Sequence, residues 1–84
     1  MLDIKYSNQA LKFLEKTEKI LQQRLIKKIE KLHVEPFLHE VTTVGGYKEK
    51  IYRVRVGSYR ILYEVDHKLN ILGIVKIDKR SRVY

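Results

Sequence analysis

The stretch Tyr52-Arg53-Val54-Arg55-Val56-Gly57-Ser58-Tyr59-Arg60-Ile61-Leu62-Tyr63-Glu64-Val65 decides the architecture of this chain. Apolar and charged residues alternate on both sides of Gly57-Ser58, the period of two that half-buried strands require. A two-residue Gly-Ser connection predicts a tight hairpin. It pairs Val56 with Tyr59, so Arg55 faces Arg60, Val54 faces Ile61 and Arg53 faces Leu62. Directly opposed residues share one face of a sheet. Tyr52, Val54, Val56, Tyr59, Ile61 and Tyr63 therefore form an apolar side, and the tyrosines on it are read as core rather than as platforms for bases. Arg53, Arg55 and Arg60 gather on the other side.

Outward from the hairpin, residues 2–6 alternate as a short strand. Ser7 stands where a helix N-cap belongs, ahead of Ala10, Leu11, Phe13 and Leu14. A second helical pattern runs through Ile20, Leu21, Leu25, Ile29 and Leu32, with a break at residues 17–19 and a stop at Pro36. Residues 37–44 show no clear period, and Gly45-Gly46 marks a turn. After Asp66-His67-Lys68, residues 69–75 read as a third strand that 75–77 complete. The expectation is an α+β fold in one domain, 1–84: a short N-terminal strand and a helical hairpin packed on an antiparallel sheet.

Composition narrows the function classes. Eighty-four residues leave room for one small core and no deep cofactor cavity. With 44% hydrophobic and 33% charged residues, the balance is globular. No apolar run approaches the roughly 18 residues of a membrane helix. Residues 1–10 show no signal-peptide pattern, and cysteine is absent. A cytoplasmic protein without a membrane partner is expected. The net charge is +8, and it is unevenly spread: residues 1–46 hold eight basic and six acidic side chains, residues 47–84 ten and four. A positive field concentrated in the second half favours a polyanionic partner, nucleic acid first.

The arginine face carries the chemistry. Arg55 directly opposite Arg60 is a like-charge pair that costs up to about 1 kcal/mol, and Glu64 farther along can offset only part of it. Convergent guanidiniums present planar forks of donors to anionic oxygens, which is what phosphate recognition needs. The terminal Asp78-Lys79-Arg80-Ser81-Arg82-Val83-Tyr84 adds cations around an aromatic ring, suited to a ligand with both phosphate and base. His33, His39 and His67 fall in three separate places, so no histidine acid–base pair is expected. Neither a metal site nor any other cofactor is expected, since no ligand spacing supports one. Lys27, Lys28 and Lys31 read as a solvated helix face, and Gly45-Gly46 is too short for a phosphate loop.

The quoted hairpin, with its basic strand, Gly-containing turn and Tyr-Arg strand, resembles the signature of the RelE/ParE toxin superfamily. So does the closing Lys79-Arg80-Ser81-Arg82-Val83-Tyr84. The resemblance implies a RelE-like toxin that cuts messenger RNA in the ribosomal A site without a metal, through attack of the RNA 2′-hydroxyl on the adjacent phosphate. It implies a cognate antitoxin, and a toxin–antitoxin hetero-oligomer, beside ribosome and mRNA as partners. Carried over by position, Arg53, Arg55, Arg60, Arg80 and Tyr84 form the catalytic set, with Lys48, Lys50, Lys79 and Arg82 as RNA contacts. Arg53 and Arg55 replace the lysines of well-known RelE members. A guanidinium with a pKa above about 12 is a poor proton acceptor, so the general base stays open. Asp78 stands where those members carry another arginine. The alternatives are a ParE-like inhibitor of DNA gyrase, which shares the fold without the nuclease chemistry, and a degenerate RNA-binding domain.

Overall fold

The computed structural model describes residues 1–37, 41–47 and 50–79. The chain runs β1 (Asp3–Tyr6), α1 (Asn8–Lys16), α2 (Lys19–Val34), β2 (Thr42–Val44), β3 (Ile51–Val56), β4 (Tyr59–Asp66) and β5 (Ile71–Lys79). The strands form one sheet in the order β1-β5-β4-β3-β2. Among the described residues, no helix is long and apolar enough to cross a membrane.

The expected α+β architecture, with a helical hairpin on one face of the sheet, is the observed one. The sheet is mixed rather than wholly antiparallel, because β1 runs parallel to β5, with Ile4 beside Leu72 and Tyr6 beside Ile74. No tight turn ties β1 to β5, so hairpin geometry does not dictate their direction. β2, at the opposite edge, is a strand that the sequence pattern left unassigned. Its Thr42 and Val44 pair with Arg53 and Ile51.

The helices start and stop for local reasons. Ser7 caps α1 with φ −67° and ψ 162°, and its Oγ accepts from the Ala10 N–H at 3.1 Å. Glu18 caps α2, its carboxylate accepting from Ile20 N at 3.0 Å and Leu21 N at 2.7 Å. The helix ends at Val34, ahead of Pro36, as the ring of proline requires. Leu21, Leu25, Ile29 and Leu32 of α2 are buried, whereas Ile20 is 68% exposed and does not join the core.

The core lies between this hairpin and the Val54, Val56, Ile61 and Tyr63 side of the sheet, where Leu72, Ile74 and Ile77 of β5 complete it. Tyr63 is fully buried, and its hydroxyl donates to the Pro36 carbonyl. Burial raises the Tyr63 phenol pKa well above its ordinary value, with the neighbouring Tyr52 adding to the effect. Tyr52 and Tyr59 pack against the same core from its margin, in line with the structural role expected for all three.

β5 departs from the expected boundaries. Leu69 is 66% exposed in the turn, Asn70 adopts φ 58°, and the strand begins only at Ile71. Farther along, the β4–β5 register shifts: Leu62 pairs with Lys76 but Tyr63 with Ile74, leaving Val75 as an extra residue. Such a bulge reverses the alternation downstream. Ile77 therefore turns into the core, while Lys76 and Asp78 join the arginine side.

The outer edge of β5 beyond β1 is closed by Ser7, the cap of α1, and by the Gln9 side chain within that helix. Ser7 Oγ donates to Val75 O at 2.6 Å and Ser7 N donates to Ile74 O at 2.9 Å. The Gln9 amide donates to Ile77 O at 2.7 Å and accepts from Ile77 N at 2.9 Å, as a neighbouring strand would.

Candidate nucleic-acid interface

The hairpin register is the one expected from the Gly57-Ser58 turn: Val56 with Tyr59, Arg55 with Arg60, Val54 with Ile61, Arg53 with Leu62. Gly57 takes φ +58°, a conformation that side chains disfavour, which is why this turn needs glycine. Arg53, Arg55 and Arg60 consequently stand on the face turned away from the helices.

Two transverse rows organise that face. The first crosses three strands as Arg55, Arg60 and Asp78. Arg60 is only 3% exposed, and its Nη1 donates to the Tyr59 carbonyl at 3.0 Å. Arg55 is exposed. Asp78, directly across from Arg60, sets a negative charge beside the buried guanidinium and reduces the like-charge cost of the Arg55–Arg60 pair.

The second row runs Thr42, Arg53, Leu62 and Lys76. Arg53 Nε donates to Thr42 Oγ1 at 2.7 Å, which fixes the direction of its guanidinium. Leu62 is fully buried with Ile51, and Val44 and Val75 pack on them. Arg53 and Lys76, both half-buried, stand on either side of Leu62 in this row. Beyond it, Glu64 lies over Gly73, its Cγ 3.1 Å from where a β-carbon would stand. The face is thus a cationic surface with an apolar centre, and carboxylates sit at two of its borders.

The remaining expected site residues separate. Lys50 is exposed at the far end of β3 from Arg55, about 16 Å away at the usual rise per residue. It lines a different hollow with Tyr52, Glu64 and His67. Lys79 pairs with Tyr59 and borders a cavity with Phe13 and Lys12 on the helix side, away from the arginines. Lys48, Arg80, Arg82 and Tyr84 lie outside the described residues, as does His39. His33 sits in the last turn of α2, and the His67 ring lies 6.0 Å from that of Phe37. Sequence reasoning missed Thr42 and Lys76. Thr42 belongs to an unassigned strand, and Lys76 reaches this face only through the bulge. The run Thr42-Thr43-Val44 ahead of Gly45-Gly46 is a β-branched strand signal that could have found the first.

Comparison with known proteins meets this geometry. A family model for the ParE toxin of type II toxin–antitoxin systems matches residues 4–84. A putative RelE-like toxin protein of Escherichia coli is 30% identical over 82 residues, covering 94% of this chain and 83% of the relative. In the crystal structure of an archaeal RelE–RelB complex from Pyrococcus horikoshii OT3, the matched chain is 29% identical, with a TM-score of 0.81 and 98% coverage of both chains. The intact E. coli RelBE toxin–antitoxin complex contains a chain of the same fold, with a TM-score of 0.83 at 20% identity, covering 98% of this chain and 100% of that one. The chain therefore belongs to the ParE toxin family of type II toxin–antitoxin systems, within the RelE/ParE superfamily. It is a RelE-like toxin.

Proposed function

We propose that this toxin is a ribosome-dependent endoribonuclease that cleaves messenger RNA in the ribosomal A site and is neutralised by a cognate antitoxin. The observation that carries the reading is the placement of Arg53, Arg55 and Arg60 on the helix-free face, with Arg55 and Arg60 directly opposed. In the reaction, the 2′-oxygen forms a bond to phosphorus and the bond from phosphorus to the 5′-oxygen breaks. The 2′-hydroxyl gives up a proton and the departing 5′-oxygen receives one. Arg60 and Arg80 stabilise the charge that grows on the phosphoryl oxygens, Arg53 and Arg55 orient the backbone, and Tyr84 holds a base. Lys48 and Arg82 extend the RNA contact. The bond from Arg53 Nε to Thr42 Oγ1 orients one guanidinium before phosphate binds, which favours preorganised electrostatics over proton transfer by these arginines.

The antitoxin completes the picture as the partner that covers this toxin, as RelB accompanies RelE in the P. horikoshii complex. Exposed apolar residues on the hairpin, Leu11, Ile20 and Val34, and the strand edges at β1 and β2 suit a wrapping polypeptide. Function on translating ribosomes places the toxin in the cytoplasm.

Translation in vitro with the purified chain, followed by mapping of mRNA ends, tests the reading. Cuts at A-site codons on translated message, absent on naked RNA, are the expected result. Intact message would overturn it, as would undiminished cutting by Arg60→Ala. The matching family model is named for ParE, which supports a second reading as a gyrase inhibitor. DNA damage without mRNA loss would select that one.

A further inference from the structure

α2 carries Arg24, Lys27, Lys28 and Lys31 at spacings of three and four, so that they form one stripe along the helix. The pairs Arg24–Lys28 and Lys27–Lys31 are like charges one turn apart, each destabilising by about 0.2–0.5 kcal/mol in an isolated helix. The stripe is not simply turned to bulk water. With Arg55 and Gly57 it lines a hollow of about 310 Å³ between α2 and the end of β3. Among the described residues, every charged side chain lining it is basic. The Arg24 guanidinium lies against Gly57, where a β-carbon would stand 3.2 Å from its Nη2.

Two other features shape the hollow. β2 pairs with β3 only from Ile51 to Arg53, so among the described residues no strand covers that edge of β3 at Val54, Arg55 and Val56. Arg55 belongs both to the hollow and to the row that continues to Arg60. Glu30 and Glu35 border Lys27 and Lys31 in an adjacent cavity that, among the described residues, no residue of β3 lines.

We infer that this trough is a second binding site for a nucleic-acid phosphate backbone, reached around the β3 edge from the arginine face and engaging RNA that is held but not cut. It extends the nuclease reading while standing on different residues, Arg55 excepted. Sequence-independent phosphate contact fits the chemistry, because among the described residues the lining offers cations and turn backbone but no aromatic ring to read a base.

The test is binding of the full chain to a labelled single-stranded oligouridylate, followed by fluorescence anisotropy between about 50 and 200 mM salt. Each phosphate contact on a single strand contributes about 0.7 to the slope of log affinity against log salt. The double variant Lys27→Gln, Lys31→Gln is expected to lower that slope by about 1.4. Lys12→Gln, Lys16→Gln on α1 removes the same charge elsewhere and is expected to leave the slope as it was. A wild-type slope in the α2 variant overturns the trough, and so does an equal fall in the α1 variant, which would mean diffuse charge only. Loss of polyglutamate binding by the α2 variant, with its RNA slope intact, would assign the trough to an acidic polypeptide and also overturn the inference. Message cutting on ribosomes is read separately. Its absence in the wild type sinks the nuclease reading and leaves the trough standing, because oligonucleotide binding does not depend on cleavage.

Discussion

Arg60 and Asp78 stand directly opposite each other on β4 and β5, so a carboxylate shares the sheet face with the most deeply buried cation among the described residues. A guanidinium that is almost wholly removed from water needs compensating negative potential and acceptors. Asp78 therefore has a structural claim on Arg60 that competes with any ligand phosphate. Asp78→Asn is expected to lower the urea midpoint, by the equivalent of about 1–3 kcal/mol. It is also expected to tighten RNA binding by about twofold to fivefold, the equivalent of 0.5–1 kcal/mol. Urea titration and oligonucleotide binding on the same preparation check both directions.

Arg55 and Arg60 face each other yet differ in burial, which separates chemistry from stability. Arg55→Ala removes an exposed side chain and is expected to shift stability by less than about 0.5 kcal/mol while reducing cleavage at least tenfold. Arg60→Ala opens a hole under the sheet face and loses the bond to Tyr59 O, so both cleavage and stability are expected to fall. Equal stability losses in the two variants would contradict the burial difference.

Tyr63 makes stability sensitive to alkaline pH. Its phenol pKa is raised in the folded state, so the neutral form is favoured there. The stability it contributes is complete below the unfolded value of about 10 and is lost as pH rises from there toward the folded value. The slope approaches about 1.4 kcal/mol per pH unit for this one group. Tyr63→Phe loses the bond to the Pro36 carbonyl and is expected to be less stable at pH 8, with the gap narrowing above pH 10. Denaturant titrations of both proteins on either side of pH 10 measure it, and a constant gap would refute the assignment.

Ser7 serves two elements through one hydroxyl, as cap of α1 and as donor to the Val75 carbonyl. Ser7→Ala is expected to cost about 2–3 kcal/mol, the sum of a lost cap and a lost partly buried bond. In a domain of this size that lowers the melting temperature by roughly 8 °C or more. Calorimetry gives the number, and a shift below about 3 °C would mean that water replaces the hydroxyl at both places.

The hairpin and its arginine face were legible because the Gly57-Ser58 turn has few solutions and the alternation around it is strict. The Ser7 cap and the buried positions of α2 were legible for similarly local reasons. β2 was not, since three residues hold too little pattern to outweigh the irregular run before them. The parallel direction of β1 depends on β5, about 70 residues away in sequence, and no local signal records it. The near-complete burial of Arg60 also escaped the sequence, because alternation assigns a side chain to a face but says nothing about how much of it neighbouring groups cover.

Val75 has a consequence larger than its size. As the supernumerary residue of β5, it makes inside and outside change places for everything that follows it in that strand. Deleting it would leave Lys76 opposite Leu62, Ile77 opposite Ile61 and Asp78 opposite Arg60, so both faces would keep their chemistry and only the local kink would go. Drawing Val75 into a regular ladder opposite Leu62 is what would do harm, sending Lys76 and Asp78 beneath the helices and Ile77 toward the ligand, so the toxin's charged surface depends on that slack in the strand.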